Sequence, residues 1–414
     1  MCSHHPNFSA TRIGRPPNRS LGALGLSVVL ATPSQAQSIN AQRHMQIGLS
    51  AITEYDDNVL RLSDQDPART RGDHRLSATL SLDVARPIGH QDIYLIGQVG
   101  ENRYARHAQL DNVTSNLQAG VDWRAGIGCV LRTGGAFSQQ LVKIEDVTSS
   151  TLAPSTQTSH ASVVGLSCAR GRVVRPSLNY RDERITNSAA ALHQNDTRTQ
   201  SYDVSLGIQR PRLGELSLFG AYRRTRYPNH IAQSPEYVSF TDAGLRLTRG
   251  IGGRIVGNAT LSYNRVAPES SATRPYSGLG WTADLTITPG GGRAHLTLAL
   301  SRATQQSTLL NVSYSIDAAN HFGLDYALTH RIKLATDVAL TRRSFVGVTG
   351  SSSALGLGDR SASISAGLRY QAPLKFLSAP IIYAFNASYS RRTADNPAFD
   401  YRDMQASVSL RIGN

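Results

Sequence analysis

Apolar and polar positions alternate with a period of two along most of the chain. The segment 75–84 sets one face against the other: Leu76, Ala78, Leu80, Leu82 and Val84 against Arg75, Ser77, Thr79, Ser81 and Asp83. The same alternation recurs in segments such as 116–123, 254–263, 294–301 and 404–412. Successive side chains of a β-strand point to opposite faces, so the pattern predicts strands whose two faces meet different surroundings. No apolar run approaches the roughly 20 residues of a membrane-spanning helix.

Turns separate these segments in a repeat of about 40 residues, which is the spacing of successive hairpins. Short turns rich in glycine and proline, such as 250–253 and 289–292, alternate with long polar connections such as 56–73 and 344–359. Seven short turns are predicted in all, and an eighth, broader turn is predicted over 371–380. Short turns on one side and long loops on the other are typical of outer-membrane barrels, with the short turns in the periplasm. The sequence therefore predicts an all-β fold: a transmembrane antiparallel up-and-down β-barrel of about 18 strands.

A soluble β-sandwich alternates as well, and two further features favour a membrane. The polar face carries mainly small uncharged residues, which suits a lumen. Aromatic residues recur on the apolar face near strand ends, as the two interfacial belts of a membrane barrel require. Tyr180, Tyr222, Tyr263 and Tyr389 precede long loops, whereas Trp123, Tyr326 and Tyr370 lie near short turns.

The first 36 residues are interpreted as a signal peptide. Arg12, Arg15 and Arg19 form a basic region, an apolar stretch follows over 21–31, and Ser34-Gln35-Ala36 resembles a cleavage site. This predicts a mature barrel over 37–414 in the outer membrane of a Gram-negative bacterium. Such a barrel is expected to contact outer-membrane lipid and the barrel-assembly machinery.

Charge changes the picture only modestly. Charged residues make up 17% of the chain, below the roughly 25% of soluble domains. The formal net charge of +14 falls to +11 without the leader, which holds three arginines and no acid. The arginines are scattered singly, so nucleic acid is not an expected partner.

The alternation assigns more basic than acidic residues to the lumen. Eleven arginines and six aspartates fall on the inward face: Arg75, Arg124, Arg132, Arg175, Arg181, Arg223, Arg246, Arg254, Arg343, Arg369 and Arg411, against Asp83, Asp122, Asp203, Asp284, Asp325 and Asp337. Basic rings in a pore favour anions, which predicts an anionic solute or acidic polysaccharide as cargo. The alternative is that cross-strand ion pairs cancel most of this charge.

Cys129 and Cys168 are the two cysteines of the predicted mature chain. In a hairpin whose loop centres near Ser149, opposed residues have numbers that sum to about 298, and these two sum to 297. Opposed residues on one face lie close enough for a disulfide after modest adjustment, and the periplasm is oxidising. The alternative is a pair of free cysteines at neighbouring positions.

The end of the first strand carries a short motif of Tyr55, Asp56, Asp57, Asn58 and, three residues on, Arg61. This motif resembles the mature N-terminus of the EpsL-type exopolysaccharide-operon outer-membrane proteins, within the broader β-barrel porin family. The resemblance rests on about eight residues and otherwise on architecture. It implies a channel or accessory barrel in synthesis or export of an extracellular polysaccharide, with polysaccharide-export components as partners. The chain departs from most such barrels because it does not end in an aromatic residue.

Two chemical alternatives for the motif and for the barrel stay open. The oxygens of Asp56, Asp57 and Asn58 suit Ca²⁺, but an Asx-type turn is the favoured interpretation, so no metal or cofactor is predicted. Besides polysaccharide export, the barrel fits a general or anion-preferring porin for small solutes.

A barrel hydrolase is the third and least favoured function. It would need a serine and a histidine on adjacent strands, and His160 with Ser138 or Ser162 is the pair that the sequence offers. No lipase elbow, zinc-protease motif or phosphate-binding loop is present, so an enzyme is not predicted.

Overall fold

Eighteen strands make up the part of the chain that the structure describes. The computed structural model describes residues 44–64, 71–126, 128–142, 155–168, 173–210, 213–230, 235–270, 273–306, 312–347, 357–376 and 379–413. The predicted signal peptide and its cleavage site lie outside these residues. Among them, no helix is long and apolar enough to cross a bilayer.

The strands follow one another in chain order around a single sheet. They are β1 His44–Asp56, β2 Asp73–Ile88, β3 Gln91–Tyr104, β4 Asn112–Ala125, β5 Cys129–Leu141, β6 Thr156–Cys168, β7 Val174–Asn187, β8 Thr197–Arg210, β9 Gly214–Arg226, β10 Tyr237–Ile251, β11 Ile255–Pro268, β12 Tyr276–Ile287, β13 Ala294–Gln306, β14 Val312–Ala327, β15 Ile332–Gly347, β16 Gly358–Phe376, β17 Ala379–Ala394 and β18 Tyr401–Ile412. Three short 3₁₀ segments, Ala108–Leu110, Ala190–Asn195 and Pro397–Phe399, lie in loops.

The first and last strands close the sheet into a barrel. Leu49 of β1 faces Leu80 of β2 on one side and Ile412 of β18 on the other, and every neighbouring pair is antiparallel. Closure removes the sheet edges, which would otherwise leave unpaired backbone groups in lipid. The predicted up-and-down barrel of about 18 strands is confirmed.

The outer wall is apolar. On β1 the side chains of Met45, Ile47 and Leu49 are 67%, 56% and 52% exposed, and comparable residues on the other strands are exposed as well. A soluble monomer seldom exposes an apolar patch beyond a few hundred Å². The exposed face is therefore a lipid-facing belt, and the alternate residues face the lumen.

Among the described residues, tight turns join successive strands where the glycines predict them; the turn predicted over 169–172 lies outside these residues. Gly252 and Gly253 both have positive φ in the turn between β10 and β11, which a residue with a Cβ adopts only at a cost. The predicted broad turn at 371–380 differs from the structure, because β16 and β17 continue through it to Phe376 and from Ala379. The segment predicted as a turn instead contains an irregularity in the pairing, because the register of β16 and β17 shifts between Gln371 and Lys375.

Candidate pore, its charges and its outer mouth

Six of the eleven predicted lumen arginines form ion pairs across or along the inner wall. The pairs are Arg75 with Glu54 (2.9 Å), Arg124 with Asp92, Arg132 with Asp122 (2.7 Å), Arg175 with Glu215 (2.9 Å), Arg181 with Glu183 (3.1 Å) and Arg343 with Asp359 (2.5 Å). Only one of these partners, Asp122, is among the six aspartates assigned to the lumen from sequence. The inner wall is thus closer to neutral than the count of eleven to six indicates.

Four of the five missed acids lie near a strand end, and this position explains why they were missed. Glu54 stands two residues before the end of β1, while Asp92, Glu215 and Asp359 are the second residues of β3, β9 and β16. Strand ends are the least certain part of any pattern-based assignment, so the alternation does not assign these acids to the lumen. Glu183, in contrast, lies well inside β7 and follows the alternation of Arg181.

Two further arginines lie over aromatic rings of the inner wall. The Arg223 guanidinium is 4.2 Å from the ring centroid of Phe240, and the Arg246 guanidinium is 4.8 Å from that of Phe219. Such cation–π contacts hold the guanidinium against the wall. Arg254 lies in the turn before β11, outside the strands, and is exposed.

Three basic residues face the lumen near its periplasmic end. Lys333 of β15 lies directly opposite Arg369 of β16, and both are exposed. Neither forms a salt bridge with any residue that the structure describes. Arg411 of β18 faces inward at a similar level, two strands from Arg369. We call Lys333, Arg369 and Arg411 the periplasmic basic cluster.

The motif at the end of β1 lies at the seam where the barrel closes. The Asn58 backbone N–H donates to Asp56 Oδ1 (2.8 Å) in an Asx-type turn, and the Asn58 side-chain amide donates to the carbonyls of Leu62 and Arg402. Arg61 has φ 53° and bridges Asp56 (3.1 Å) and Asp403 of β18 (2.7 Å). These contacts join the first strand to the last.

The acids of this seam also satisfy the spacing of a cation site. Ligand atoms of Asp56, Asp57 and Asp403 lie within 4.8 Å of one another. Burial alone would lower the pKa of Arg61. The carboxylates of Asp56 and Asp403 raise that pKa by more than burial lowers it, so the net shift is upward. The guanidinium thus supplies the positive charge that a metal would bring.

The outer mouth is crossed by contacts between distant parts of the wall. Gln306 of β13 accepts hydrogen bonds from the hydroxyls of Thr199 (3.2 Å) and Thr225 (3.0 Å), which belong to β8 and β9. Four strand spacings of about 4.8 Å separate β9 from β13 around the wall, about 19 Å in all. A hydrogen bond between them requires the wall to fold inward.

The inward fold begins where β13 parts from β12. Their pairing ends at Trp281 opposite Arg302, although β12 stays paired with β11 as far as Tyr276 and β13 with β14 as far as Gln306. Arg302 donates from Nη1 to the Leu279 carbonyl (2.9 Å), an acceptor left open where the ladder ends. The outer ends of β13 and β14 are therefore not held to β12 and can bend into the mouth.

An apolar cluster fills the space between the outer end of β14 and the inner face of β10 and β11. Tyr314 of β14 packs with Phe240 and Val238 of β10 and Val266 of β11, and all four are at most 1% exposed. The Tyr314 hydroxyl donates to the Arg274 carbonyl (2.7 Å). We call these four residues the mouth cluster.

The sequence contains a local signal for the mouth cluster. Val238, Phe240 and Val266 occupy inward positions near the outer ends of β10 and β11, whereas the middle of both strands carries inward polar residues such as Asp242 and Asn264. Tyr227, in the loop after β9, packs against them, and burial raises the pKa of its hydroxyl. Val312 of β14 and Phe345 of β15 form a second buried cluster, which packs against Phe399 of the last 3₁₀ segment.

Cys129 and Cys168 are directly opposed at the periplasmic ends of β5 and β6. Their Cα atoms are 3.9 Å apart and their sulfurs are joined at 2.05 Å. The register of this hairpin sums to 297 throughout, one less than the sum estimated from the loop.

The residues considered for a hydrolase do not converge. His160 packs its ring against Phe137 on the outer face of the barrel, with ring centroids 5.0 Å apart. Ser138 neighbours Phe137 on β5 and therefore faces the lumen, away from His160. Ser162 shares the face of His160 but lies on the same strand. Neither serine meets the adjacent-strand geometry that the hydrolase hypothesis requires.

Comparisons with known proteins support the barrel assignment. Residues 238–414, which run from β10 to the end of the chain, match the family described as "Putative beta-barrel porin 2". No functionally curated protein matches the sequence.

Solved structures with a similar overall shape include a porin. A BenF-like porin from Pseudomonas fluorescens Pf-5 aligns at TM-score 0.49 and 10% identity, over 90% of this chain and 100% of that one. Pseudomonas aeruginosa OccK2 (OpdF) gives 0.48 and 11% over 89% and 98%, and Acinetobacter baumannii OccAB3 gives 0.47 and 9% over 89% and 99%. A likeness at this level says nothing about a solute. The family match, together with the closed barrel and its apolar belt, makes this chain a porin-like β-barrel of the outer membrane.

Proposed function

We propose that the barrel is a selective diffusion channel for small anionic solutes. The observation that carries the proposal is the inward fold at the outer mouth, where Gln306 of β13 accepts hydrogen bonds from Thr199 and Thr225, five and four strands away around the wall. A wall that narrows its own entrance limits the size of what enters, and this favours a small solute over a polymer.

The periplasmic basic cluster supports the choice of charge. Lys333 and Arg369 are opposed, so their side chains start about 5 Å apart and repel each other. Arg411 adds a third positive charge nearby. Six of the other lumen arginines are neutralised by acids, so the opposed pair of Lys333 and Arg369 is where an anion gains most.

Polysaccharide export is the second candidate. What favours it is the resemblance of residues 55–61 to the exopolysaccharide-operon proteins. In this barrel, however, Asp56, Asn58 and Arg61 are engaged with β18, and closure of the barrel accounts for the motif without a polysaccharide. We therefore rank polysaccharide export behind the small-solute channel. Cleavage of a signal peptide over residues 1–36 is proposed for either function.

Planar-bilayer recording of the purified, folded chain tests the proposal. We expect stable conductance steps and a reversal potential in a KCl gradient that indicates chloride preference. Lys333→Gln/Arg369→Gln should reduce that preference. Arg249→Gln/Arg210→Gln removes two exposed charges at the periplasmic end outside the cluster and should leave it unchanged.

Two results would overturn the proposal. A barrel that reconstitutes but gives no conductance is not a diffusion channel. A barrel that conducts with cation preference, unaffected by the Lys333 and Arg369 substitutions, has another solute class. Loss of extracellular polysaccharide on deletion of the gene, with no conductance, would favour the export function.

A further inference from the structure

Three arginines stand side by side on the lipid-facing side of the barrel. Arg184 of β7 is directly opposite Arg198 of β8, which is directly opposite Arg226 of β9. Opposed residues on one face have Cβ atoms about 4.5–5.5 Å apart, and like charges in this arrangement destabilise a sheet. We call Arg184, Arg198 and Arg226 the arginine row.

The row lies on the outer face, above the aromatic belt. Four residues down each strand, Tyr180, Tyr202 and Tyr222 form a second row, with adjacent ring centroids 5.0 Å and 6.4 Å apart. Tyrosines of this kind mark the membrane interface. At about 3.3 Å per residue along strands tilted by about 40°, the arginine row stands roughly 10 Å above them, at the level of lipid headgroups on the extracellular side.

Nearby acids neutralise only part of this charge. Arg198 pairs with Asp182 (2.8 Å) and Arg226 with Glu236 (3.0 Å), both in exposed pairs. Arg184 is exposed and forms no ion pair with any residue in the described part of the chain. Arg224, one same-face position below Arg226, lies over the Tyr237 ring at 4.0 Å and adds a further positive charge.

A groove of about 810 Å³ lies beside the row on the outer wall. Phe137 and His160 continue the arginine row across β5 and β6. Directly below them, the small residues Ala119, Gly135 and Ser162 lie opposite one another on β4, β5 and β6 and leave a depression in the apolar belt.

Two loops form the upper end of the groove. The Asn229 side chain donates to the His193 carbonyl and to Asp196 Oδ2, both at 3.1 Å, and so joins the loop after β9 to the 3₁₀ segment after β7. The site is thus bounded by loops above, the arginine row at one side and an apolar depression below.

We propose that this surface binds a phosphorylated, acylated glycolipid of the outer leaflet. Phosphate oxygens accept charge-assisted hydrogen bonds from guanidinium groups and relieve the repulsion within the row. One acyl chain lies in the depression over Gly135, where the wall lacks large side chains. The site is separate from the lumen and depends on the outer-membrane placement but not on the proposed solute.

Native mass spectrometry of the folded, detergent-purified chain tests the site with diphosphorylated lipid A, phosphate-free lipid A and phosphatidylglycerol. Arg184→Gln/Arg198→Gln/Arg226→Gln should weaken binding of diphosphorylated lipid A at least about ten-fold, because several charge-assisted bonds are lost. Arg210→Gln/Arg249→Gln/Arg331→Gln removes three charges at the periplasmic end and should bind as the unmodified chain does. Phosphate-free lipid A should bind weakly to the unmodified chain, to the arginine-row variant and to the periplasmic control.

Gly135→Leu tests the depression without changing charge. An added Cβ at Gly135 has its nearest contact at 3.5 Å, so the larger side chain can point outward into the groove. We expect weaker binding of diphosphorylated lipid A with unaltered folding, measured as heat-modifiable mobility on gels. Unchanged affinity in the arginine-row variant, or an equal loss in the periplasmic control, overturns the proposal. Equal affinity for phosphatidylglycerol and lipid A would show that the groove recognises no glycolipid.

Discussion

The hydroxyl of Thr225 on β9 lies 3.0 Å from Oε1 of Gln306 on β13, although three strands stand between them in the wall. The contact means that the outer mouth is not an open ring. Because Thr225 is fully buried, the two surfaces meet without intervening solvent.

This contact predicts a cross-link. Thr225→Cys/Gln306→Cys should be joined by a short-spacer bismaleimide in intact outer membranes, because the two side chains touch and the spacer makes up for the shorter cysteine at 306. Thr225→Cys/Thr297→Cys places the second thiol about 30 Å further down β13 and should not be joined. Gel mobility after treatment with the cross-linker gives the measurement. Failure of the first pair to cross-link, at a site where both thiols are alkylatable, would show that the mouth is open.

Loosening the mouth cluster should widen the channel. Tyr314→Ala removes a ring that is 1% exposed, and truncation of a buried aromatic residue costs about 3–5 kcal/mol. We expect the outer ends of β13 and β14 to separate from β10 and β11 and the single-channel conductance to rise. Tyr326→Ala removes an outward ring from the same strand and should leave conductance unchanged. Equal conductance in Tyr314→Ala and the unmodified chain would mean that the cluster does not limit flow.

The barrel could be predicted from sequence and the mouth could not, for a physical reason. Alternation reports which face of a strand is buried in lipid, so it assigns residues such as Leu80 and Ser81 correctly along each strand. The meeting of Gln306 with Thr199 depends on where β13 leaves β12, and no local pattern records that. The count of lumen charges from sequence is incomplete for a related reason, because Glu54 and Asp92 lie near strand ends, where the pattern is weakest.

An added arginine should destabilise the barrel much more on the lipid-facing side of β11 than on its lumen-facing side. Leu261 is 55% exposed at the middle of the strand and points to lipid, whereas its neighbour Thr260 points to the lumen. Arginine at the bilayer midplane on the lipid face costs about 2–4 kcal/mol. Leu261→Arg should therefore lower the urea concentration at which the barrel unfolds in vesicles, and Thr260→Arg should change it far less. Similar losses in both variants would contradict the assignment of faces.

The seam depends on Arg61 more than on its exposed neighbours. Removing one partner from a buried ion pair costs about 3–5 kcal/mol, and Asp56 and Asp403 are both nearly buried. Arg61→Ala should lower the temperature at which the folded gel band is lost. The matched control is Arg402→Ala, which breaks an exposed pair with Asp64 worth about 0–1 kcal/mol. If both variants melt together, the motif at 55–61 has a role other than closure.

Cys129 and Cys168 should be joined in the protein isolated from cells. They are opposed at the periplasmic rim, where the compartment is oxidising. We expect mass spectrometry of non-reduced peptides to recover the two segments linked, with no thiol open to alkylation before reduction. Because β5 and β6 are hydrogen-bonded from this pair as far as Leu141 opposite Thr156, the sheet already restrains the loop that the bond closes. Cys129→Ser/Cys168→Ser should therefore shift the unfolding temperature only slightly, and its effect should instead be on register, by permitting slipped pairings during assembly. Recovery of two alkylatable thiols from the native barrel would show that the residues stay reduced, and a large loss of stability in the double variant would show that the bond, rather than the ladder, holds this hairpin.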